Sequence, residues 1–382
     1  MLFSTFRWKN KSNLHLSNPV RAFIQYRHRR HDLISGFDQG VDADAFFKEL
    51  QSLKVDTHPK NPIVIHLMYE MGFLFTESGH LLKDDEPLAI VIEYQKTGFV
   101  RPKSKLKKIP LKTLERPGWS EYKEAFKYLE EALLNGSAYQ YNLTYPFDFY
   151  TEDFFSPEDI HDFFFTRSEL SSFAHMTYLG EEVILSNSPE CLFTIQKGHL
   201  YSMPIKGTKK KGKGKLSSQI KDLFSDPKEQ SELIMIADLV RNDLNKLSGG
   251  ECQVPRIKKA LVLNDLIHQY SLLKTPVQKE WSLYQIISCL FPGGSITGAP
   301  KISAIRTLDR VERFRRNTYC GSTILFWKNH LDCSINIRTA KINLLERNWT
   351  YGAGGGITLQ SQAHSEFREM ESKAESFLTL LS

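Results

Sequence analysis

The chain has 382 residues, enough to bury a large core, and its 41% hydrophobic and 25% charged residues are typical of a globular protein. No apolar run reaches the roughly 18 residues that a membrane-spanning helix needs, so we expect no membrane span. The five cysteines lack C-x-x-C spacing. They therefore predict neither a disulfide framework nor a zinc site, and a reducing, cytoplasmic location is expected.

Basic residues are unevenly distributed within a modest formal net charge of +6. Residues 1–31 contain seven Lys and Arg and no acidic residue, a composition compatible with a transit peptide. Asn18-Pro19 interrupts this segment, so we favour a divergent N-terminal segment of a cytoplasmic protein. A second basic cluster, 209–215, has glycines but no interleaved aromatic residues, and we expect no nucleic-acid partner.

The hydrophobic pattern predicts an α+β chain with mainly antiparallel strands, because runs of strands are separated by irregularly placed helices. Strands are expected at 62–67, 88–94, 138–143, 173–178, 182–186, 191–195, 200–203, 321–327, 332–338 and 340–345. Helices are expected at 42–53, 120–135, 228–246, 283–290, 302–313 and from about 365, with Ser120 as the N-cap of the second.

A lysine between proline and glycine, in Pro204-Ile205-Lys206-Gly207-Thr208, lies on an expected loop after a strand. Pro204 restricts the backbone before Lys206 and Gly207 frees it afterwards, so the lysine can be sharply placed. Taken alone, such a lysine is usually a solvated loop charge. Only the rest of the chain can assign it a chemical function.

Two glycine clusters, Gly293–Gly298 and Gly352–Gly356, are candidates for binding an anion. Backbone N–H groups converge where side chains are absent, and the first cluster precedes a helix. Together they suggest a small dicarboxylate. Arg338 in an apolar strand needs a carboxylate partner, which is either part of a ligand or part of a structural salt bridge.

Glutamates on two helices form the candidate metal site. Glu366 and Glu369 share a helix face, and Glu232 lies on an earlier helix. Carboxylates without histidine or cysteine suit a hard cation that keeps several waters, hence Mg²⁺. Ordinary surface glutamates are the alternative for each of them.

Taken together, these stretches resemble the chorismate-utilising enzymes. The motifs that carry the resemblance are Tyr139–Thr144, Ser188-Pro189-Glu190, Pro204–Thr208, Asp238–Leu244, His268-x-x-Ser271, Phe291–Lys301, Tyr319–Ser322, Ile337-Arg338-Thr339 and Gly352–Ile357 with the helix of Glu366 and Glu369. The resemblance implies a fold of two packed, mainly antiparallel sheets flanked by helices. It also implies a divergent, shortened N-terminal part (1–110) and a chorismate-binding catalytic region (111–382).

The resemblance assigns roles to residues in one pocket that takes chorismate and Mg²⁺. It implies metal contacts for Glu232 and Glu369 with support from Glu366, and a general-acid role for Glu190. For the enolpyruvyl carboxylate it implies Arg338, Tyr319 and the amides of Gly354, Gly355 and Gly356. Substrate contacts are implied for His268 and for Thr297 on the glycine-rich turn.

Two positions distinguish branches of this family. Members that add water at C2 carry a lysine where this chain has Gln140, so water activation is disfavoured. Anthranilate synthases usually read Pro-Ile-Ala-Gly-Thr, whereas aminodeoxychorismate synthases read Pro-Ile-Lys-Gly-Thr, as this chain does. We therefore expect amination at C4 through a covalent Lys206 intermediate, with anthranilate formation as the alternative.

A further implication concerns the ammonia. The chain has no cysteine in a G-x-C-x-G nucleophile turn, so we expect free ammonia or a separate glutamine amidotransferase subunit. A non-catalytic binding protein on the same fold is the alternative from another class. The acid, metal and lysine positions are all present, which favours an enzyme.

Overall fold

The computed structural model describes residues 2–8, 12–262 and 266–381. The strands of this part of the chain are β1 (Phe3–Arg7), β2 (Asn13–Gln25), β3 (Arg30–Asp32), β4 (Asp38–Gln39), β5 (Ile63–Leu67), β6 (Ala89–Val100), β7 (Lys112–Glu115), β8 (Gln140–Tyr150), β9 (Phe173–Tyr178), β10 (Glu182–Ser188), β11 (Cys191–Gln196), β12 (His199–Met203), β13 (Ile205–Lys210), β14 (Gln253–Val262), β15 (Leu266–Pro276), β16 (Gly298–Ala299), β17 (Ser322–Trp327), β18 (His330–Ile335), β19 (Thr339–Asn343) and β20 (Asn348–Ile357).

Helices lie between groups of these strands. They are α1 (Ala43–Ser52), α2 (Trp119–Leu134), α3 (Pro157–Phe165), α4 (Leu216–Ser225), α5 (Pro227–Ser248), α6 (Leu283–Leu290), α7 (Gly294–Thr297), α8 (Lys301–Val311) and α9 (Ala363–Leu381). Short 3₁₀ segments occupy Tyr69–Phe75 and Gly79–Leu81. In the described ranges, no helix combines the length and the apolar character needed to cross a membrane.

The strands form antiparallel ladders that confirm the predicted α+β class. The ladders join into one continuous hydrogen-bonded network that closes on itself, so strands connect the two layers that were expected as separate sheets. Two large apolar clusters fill the interior. One of them packs under α2 and α9, and the other surrounds α6.

The N-terminal residues belong to this network. Strand β1 pairs with β9, and β5 pairs with β17, so the first part of the chain shares ladders with the rest. Asn18-Pro19 lies inside β2, which runs along β6 with a register shift after Pro19. The predicted boundary near residue 110 stays a prediction.

The helices form where the sequence pattern places them. In α2 the apolar stripe Tyr122, Ala125, Phe126, Leu129 and Leu133 is buried, as an amphipathic helix requires. Its N-cap is Gly118, so the assignment of Ser120 was wrong. Capping boxes start α3 and α6, in which a serine side chain accepts from the backbone N–H of the third helical residue.

Other differences from the predictions include the two segments that hold Lys206 and Arg338. Lys206 lies in β13, not on a loop. Arg338 lies between β18 and β19 with a φ of 51°, not within a strand. The predictions also missed strands β1, β2, β14 and β15 and helix α3. Strand β14 gave a weak signal because Pro255 and several exposed charges interrupt its apolar alternation.

Candidate functional site

Strand β13 carries an irregularity directly after Lys206. Strand β13 pairs with β15, and the register shifts between Lys206 and Thr208. Gly207 has a φ of 75°, and a Cβ there would lie 2.7 Å from Gln269 Nε2 and 2.8 Å from Glu229 Oε2. Only glycine fits this position without displacing a neighbour.

Lys206 is largely buried, with 13% of its side chain exposed. Its Nζ lies 3.8 Å from Glu232 Oε2 on α5 and 3.4 Å from the position that a Cβ of Gly356 would occupy. Lys206 is therefore not the solvated loop charge that its local sequence alone would suggest. Holding this amine out of water requires nearby polar groups, and Glu232 is one of them.

Gln140 lies beside Lys206 at the start of β8. Strand β8 pairs with β20, where Asn142 stands opposite Gly356. The Gln140 amide packs against Gly356 so closely that a side chain at position 356 would overlap it. Within the described ranges, both polar atoms of this buried amide lack a hydrogen-bond partner. The amide can therefore bond to a ligand at no cost to the protein's own hydrogen bonds.

Glu190 is the buried acid of the site, with 3% of its surface exposed. Burial raises its pKa to about 7, and the Ser295 hydroxyl, the charge of Lys206 and the Ile205 N–H each act to lower it. Among the described residues, its Oε1 has no hydrogen-bond partner. A carboxyl with a pKa near neutrality suits general acid catalysis.

Two further predicted residues, Arg338 and His268, lie beside each other. Arg338 Nη2 lies 3.5 Å from His268 Nε2, and no ion pair of Arg338 with a carboxylate is found in the described part of the chain. Burial, with help from the Arg338 charge, lowers the pKa of His268 to about 4. Tyr319 packs its ring directly on Gly352. The Arg338 guanidinium is therefore available to an anionic ligand.

The three predicted metal ligands are not arranged as a ready-made ion site in the described part of the chain. Glu366 is buried, and its Oε2 lies 3.5 Å from the Cβ position of Gly355. Glu369 has 57% of its side chain exposed, and its Oε1 lies 2.9 Å from Lys373 Nζ. Over the described ranges, no group of three His, Cys, Asp or Glu residues is arranged to hold a metal ion. A set of carboxylate ligands suits Mg²⁺. Two of these glutamates, Glu232 and Glu369, each lie close to a lysine.

The first glycine cluster packs against protein side chains. A Cβ on Gly293 would lie 2.7 Å from Ile335 Cδ1, and one on Gly294 would overlap Leu239. The Thr297 hydroxyl donates to the Gly293 carbonyl at 3.0 Å and is buried. The structure therefore places this hydroxyl within the turn itself.

Sequence reasoning missed Ser295 and gave Lys373 no function. Ser295 is a polar residue within a glycine-rich turn, and its contact with Glu190 depends on the fold. Lys373 Nζ donates to the Gly354 carbonyl at 2.7 Å. Its position one turn after Glu369 was the one available signal. The site thus combines a buried acid, a buried amine, an unpartnered amide and a wall of glycine backbone.

Comparison with known protein families and relatives narrows the range of reactions to consider for this site. Residues 18–379 match the family described as chorismate binding enzyme. Aminodeoxychorismate synthase component 1 from Klebsiella aerogenes is 31% identical over 262 residues, which are 68% of this chain and 57% of that protein. Anthranilate synthase component 1 2 from Haloarcula marismortui is 29% identical over 269 residues, 68% of this chain and 49% of that protein. The chain thus matches about half the length of these relatives.

The fold is also shared with solved structures. Anthranilate synthase component I from Streptococcus pneumoniae TIGR4 superimposes with a TM-score of 0.80 at 20% identity, covering 97% of this chain and 93% of that one. A putative isochorismate synthase from Bacillus anthracis gives a TM-score of 0.73 at 16% identity, covering 100% of this chain and 96% of that one.

The raised pKa of Glu190 predicts a pH-dependent loss of stability. Between pH 4.5 and about 7 the unfolded chain has released this proton and the folded chain retains it. The free energy of unfolding therefore falls as pH rises through this window, by up to about 3 kcal/mol. In Glu190→Gln this contribution is absent, so urea unfolding should show the variant gaining stability relative to wild type from pH 4.5 to 7.

The exposed Glu121 provides the matched control. Glu121→Gln should follow the wild-type stability profile across the same pH range. A constant difference between wild type and Glu190→Gln would contradict the raised pKa.

Proposed function

Because the chain belongs to the family of chorismate-binding enzymes, we propose that it aminates chorismate at C4 to 4-amino-4-deoxychorismate, as an aminodeoxychorismate synthase component 1. This product would serve the formation of 4-aminobenzoate and folate. The relatives named for this activity, at 31% identity, support the proposal.

One observation carries the proposal beyond the family. The amine of Lys206 is buried beside Glu190, Gln140 and Gly356, where a bound ring would lie between an acid and a nucleophile. A lysine at this place provides covalent catalysis that an alanine could not supply. The lysine therefore favours amination at C4 over the other reactions of the family.

The proposed reaction proceeds in two displacements. Glu190 protonates the C4 hydroxyl, which leaves as water while the neutral amine of Lys206 bonds to C2 and the ring double bonds shift. Ammonia then bonds to C4, the double bonds shift back, and the C2–N bond to Lys206 breaks. Two displacements return the amino group to the face that the hydroxyl left, and one difficult step becomes two easier ones.

Binding of the substrate would use the groups around Arg338. Its guanidinium, with Tyr319 and the amides of Gly354–Gly356, suits the enolpyruvyl carboxylate. His268, held neutral by its low pKa, would lie near the ring carboxylate without adding charge. Gln140 cannot remove a proton from water, so its amide would orient substrate or ammonia by hydrogen bonds.

Magnesium is part of the proposal. Glu232 and Glu369 would hold the ion, with support from the buried Glu366. The ion pairs of Glu232 with Lys206 and of Glu369 with Lys373 would break as the ion binds. The ion would neutralise the ring carboxylate and favour the neutral form of the nearby amine. Ammonia from a separate glutamine amidotransferase subunit and a cytoplasmic location remain part of the same proposal.

Anthranilate synthase is the second candidate. Relatives of that name reach 29% identity over 68% of this chain, close to the values for the first candidate. That reaction aminates C2 and releases pyruvate. The two candidates differ at Lys206, which has no task in amination at C2.

The product formed from chorismate, Mg²⁺ and an ammonium salt tests the proposed function. We expect 4-amino-4-deoxychorismate, identified by chromatography and mass spectrometry. Lys206→Ala should lower its rate of formation by roughly a thousandfold or more, because the covalent route is lost.

Lys209→Ala is the matched control from the same strand. Lys209 has 40% of its side chain exposed and pairs with Asp222 at 3.1 Å, so the wild-type rate is expected. Anthranilate with pyruvate as the products would favour the second candidate. Full activity of Lys206→Ala would refute the covalent role.

The proposed ion ligands predict how magnesium binding responds to charge removal. Glu232→Gln and Glu369→Gln should each weaken Mg²⁺ binding by at least about tenfold, measured by calorimetry on the chain without chorismate. Glu371→Gln on the same helix is the control, since Glu371 lies 3.9 Å from Arg116. Unchanged Mg²⁺ affinity in both variants would place the ion elsewhere.

A further inference from the structure

We propose that the glycine-rich turn Gly293–Gly298 is a clamp for Glu190, with Ser295 as the positioning residue that orients its carboxyl. The sequence suggested that this turn grips a ligand through backbone amides. Its catalytic consequence rests on the proposed function, in which Glu190 donates a proton. The position of Ser295 beside Glu190 does not depend on the proposed function.

Hydrogen bonds within the turn and from Arg316 hold the turn in place. Thr297 donates its hydroxyl to the Gly293 carbonyl, which closes the single helical turn of α7. The buried Arg316 donates from Nη1 to the Ile296 carbonyl at 2.7 Å and from Nη2 to the Asn142 carbonyl at 2.7 Å. Arg316 thus ties the turn to β8, the strand that carries Gln140.

Glycine lets the turn approach the strand next to Glu190. Gly293 packs against Ile335 at a distance that a side chain would not permit. The Ile335 N–H in turn donates to the Glu190 carbonyl at 3.1 Å. The turn and the backbone of Glu190 are therefore held against the same residue, which sets the position of Ser295 relative to the acid.

Ser295 and Glu190 also line the same small cavity. The cavity has a volume of about 10 Å³, room for about one water molecule, and Ser202 and Asp243 line it with them. Asp243 is compensated by Lys301, whose Nζ lies 3.0 Å from its carboxylate. The cavity therefore offers little charge of its own to Glu190.

The Ser295 hydroxyl opposes the effect of burial on the acid. It lines the same cavity as Glu190, and together with the Ile205 N–H and the Lys206 charge it lowers the pKa of the carboxyl. A donor aimed at the ionised form lowers the pKa. Ser295 thus keeps the pKa of the acid near neutrality.

Infrared titration of the chain without chorismate tests the clamp directly. The carboxylic acid band of Glu190, assigned by its loss in Glu190→Gln, should disappear near pH 7 in wild type. In Ser295→Ala the pKa should rise by about one, because one donor to the carboxylate is lost. Ser295→Cys, which keeps the volume but donates weakly, should shift it in the same direction.

Turnover measurements then separate positioning from folding. In Ser295→Ala the alkaline limb of the pH–rate profile should move upward with the infrared pKa, with a fall in kcat and little change in KM. Ser295→Thr, which keeps the hydroxyl, should restore both values toward wild type.

Ser202→Ala is the matched control, because Ser202 lines the same cavity but donates to the Leu192 carbonyl. The Ser202→Ala variant should leave the pKa of Glu190 unchanged. An unchanged Glu190 pKa in both Ser295→Ala and Ser295→Cys would overturn the proposal. If chorismate is not turned over at all, the infrared result alone still decides whether Ser295 holds Glu190.

Discussion

The close burial of an amine and a carboxyl is the constraint on which the site depends. Lys206 and Glu190 are both removed from water, and each is stabilised by few neighbours. Charges in such a place shift their pKa or need partners, because desolvation is expensive. Glu232 lies beside the amine, and Ser295 lies beside the acid. The helix of Glu232 and the turn of Ser295 therefore help to offset the free-energy cost of burying these two groups.

One side of the site is formed by the backbone of Gly354–Gly356 in β20, where side chains are absent. At Gly356 the Gln140 amide lies where a side chain would overlap it, while Lys206 and Glu366 lie at contact distance from Gly356 and Gly355. Regular pairing with β8 holds the glycines in register despite their conformational freedom. The glycines therefore leave room for a small ligand beside this strand.

Most elements were predictable from the sequence because their apolar periodicity is strong, as in α6 and β17. Strand β14 was not, since exposed charges and Pro255 obscure its pattern. The candidate acid and lysine came from a family resemblance, because no local pattern distinguishes Lys206 from a surface lysine. Contacts such as Ser295 with Glu190 join residues about a hundred positions apart, which spacing cannot reveal.

The central claim is that Lys206 is a nucleophile, and intact-protein mass spectrometry tests it most directly. The chain is incubated with chorismate and Mg²⁺ without ammonia, and the modified peptide is then mapped. We predict a mass increase equal to chorismate less one water, located on Lys206 and lost when ammonium is added. Formation of 4-amino-4-deoxychorismate with no adduct, or with an adduct on another residue, would contradict the account.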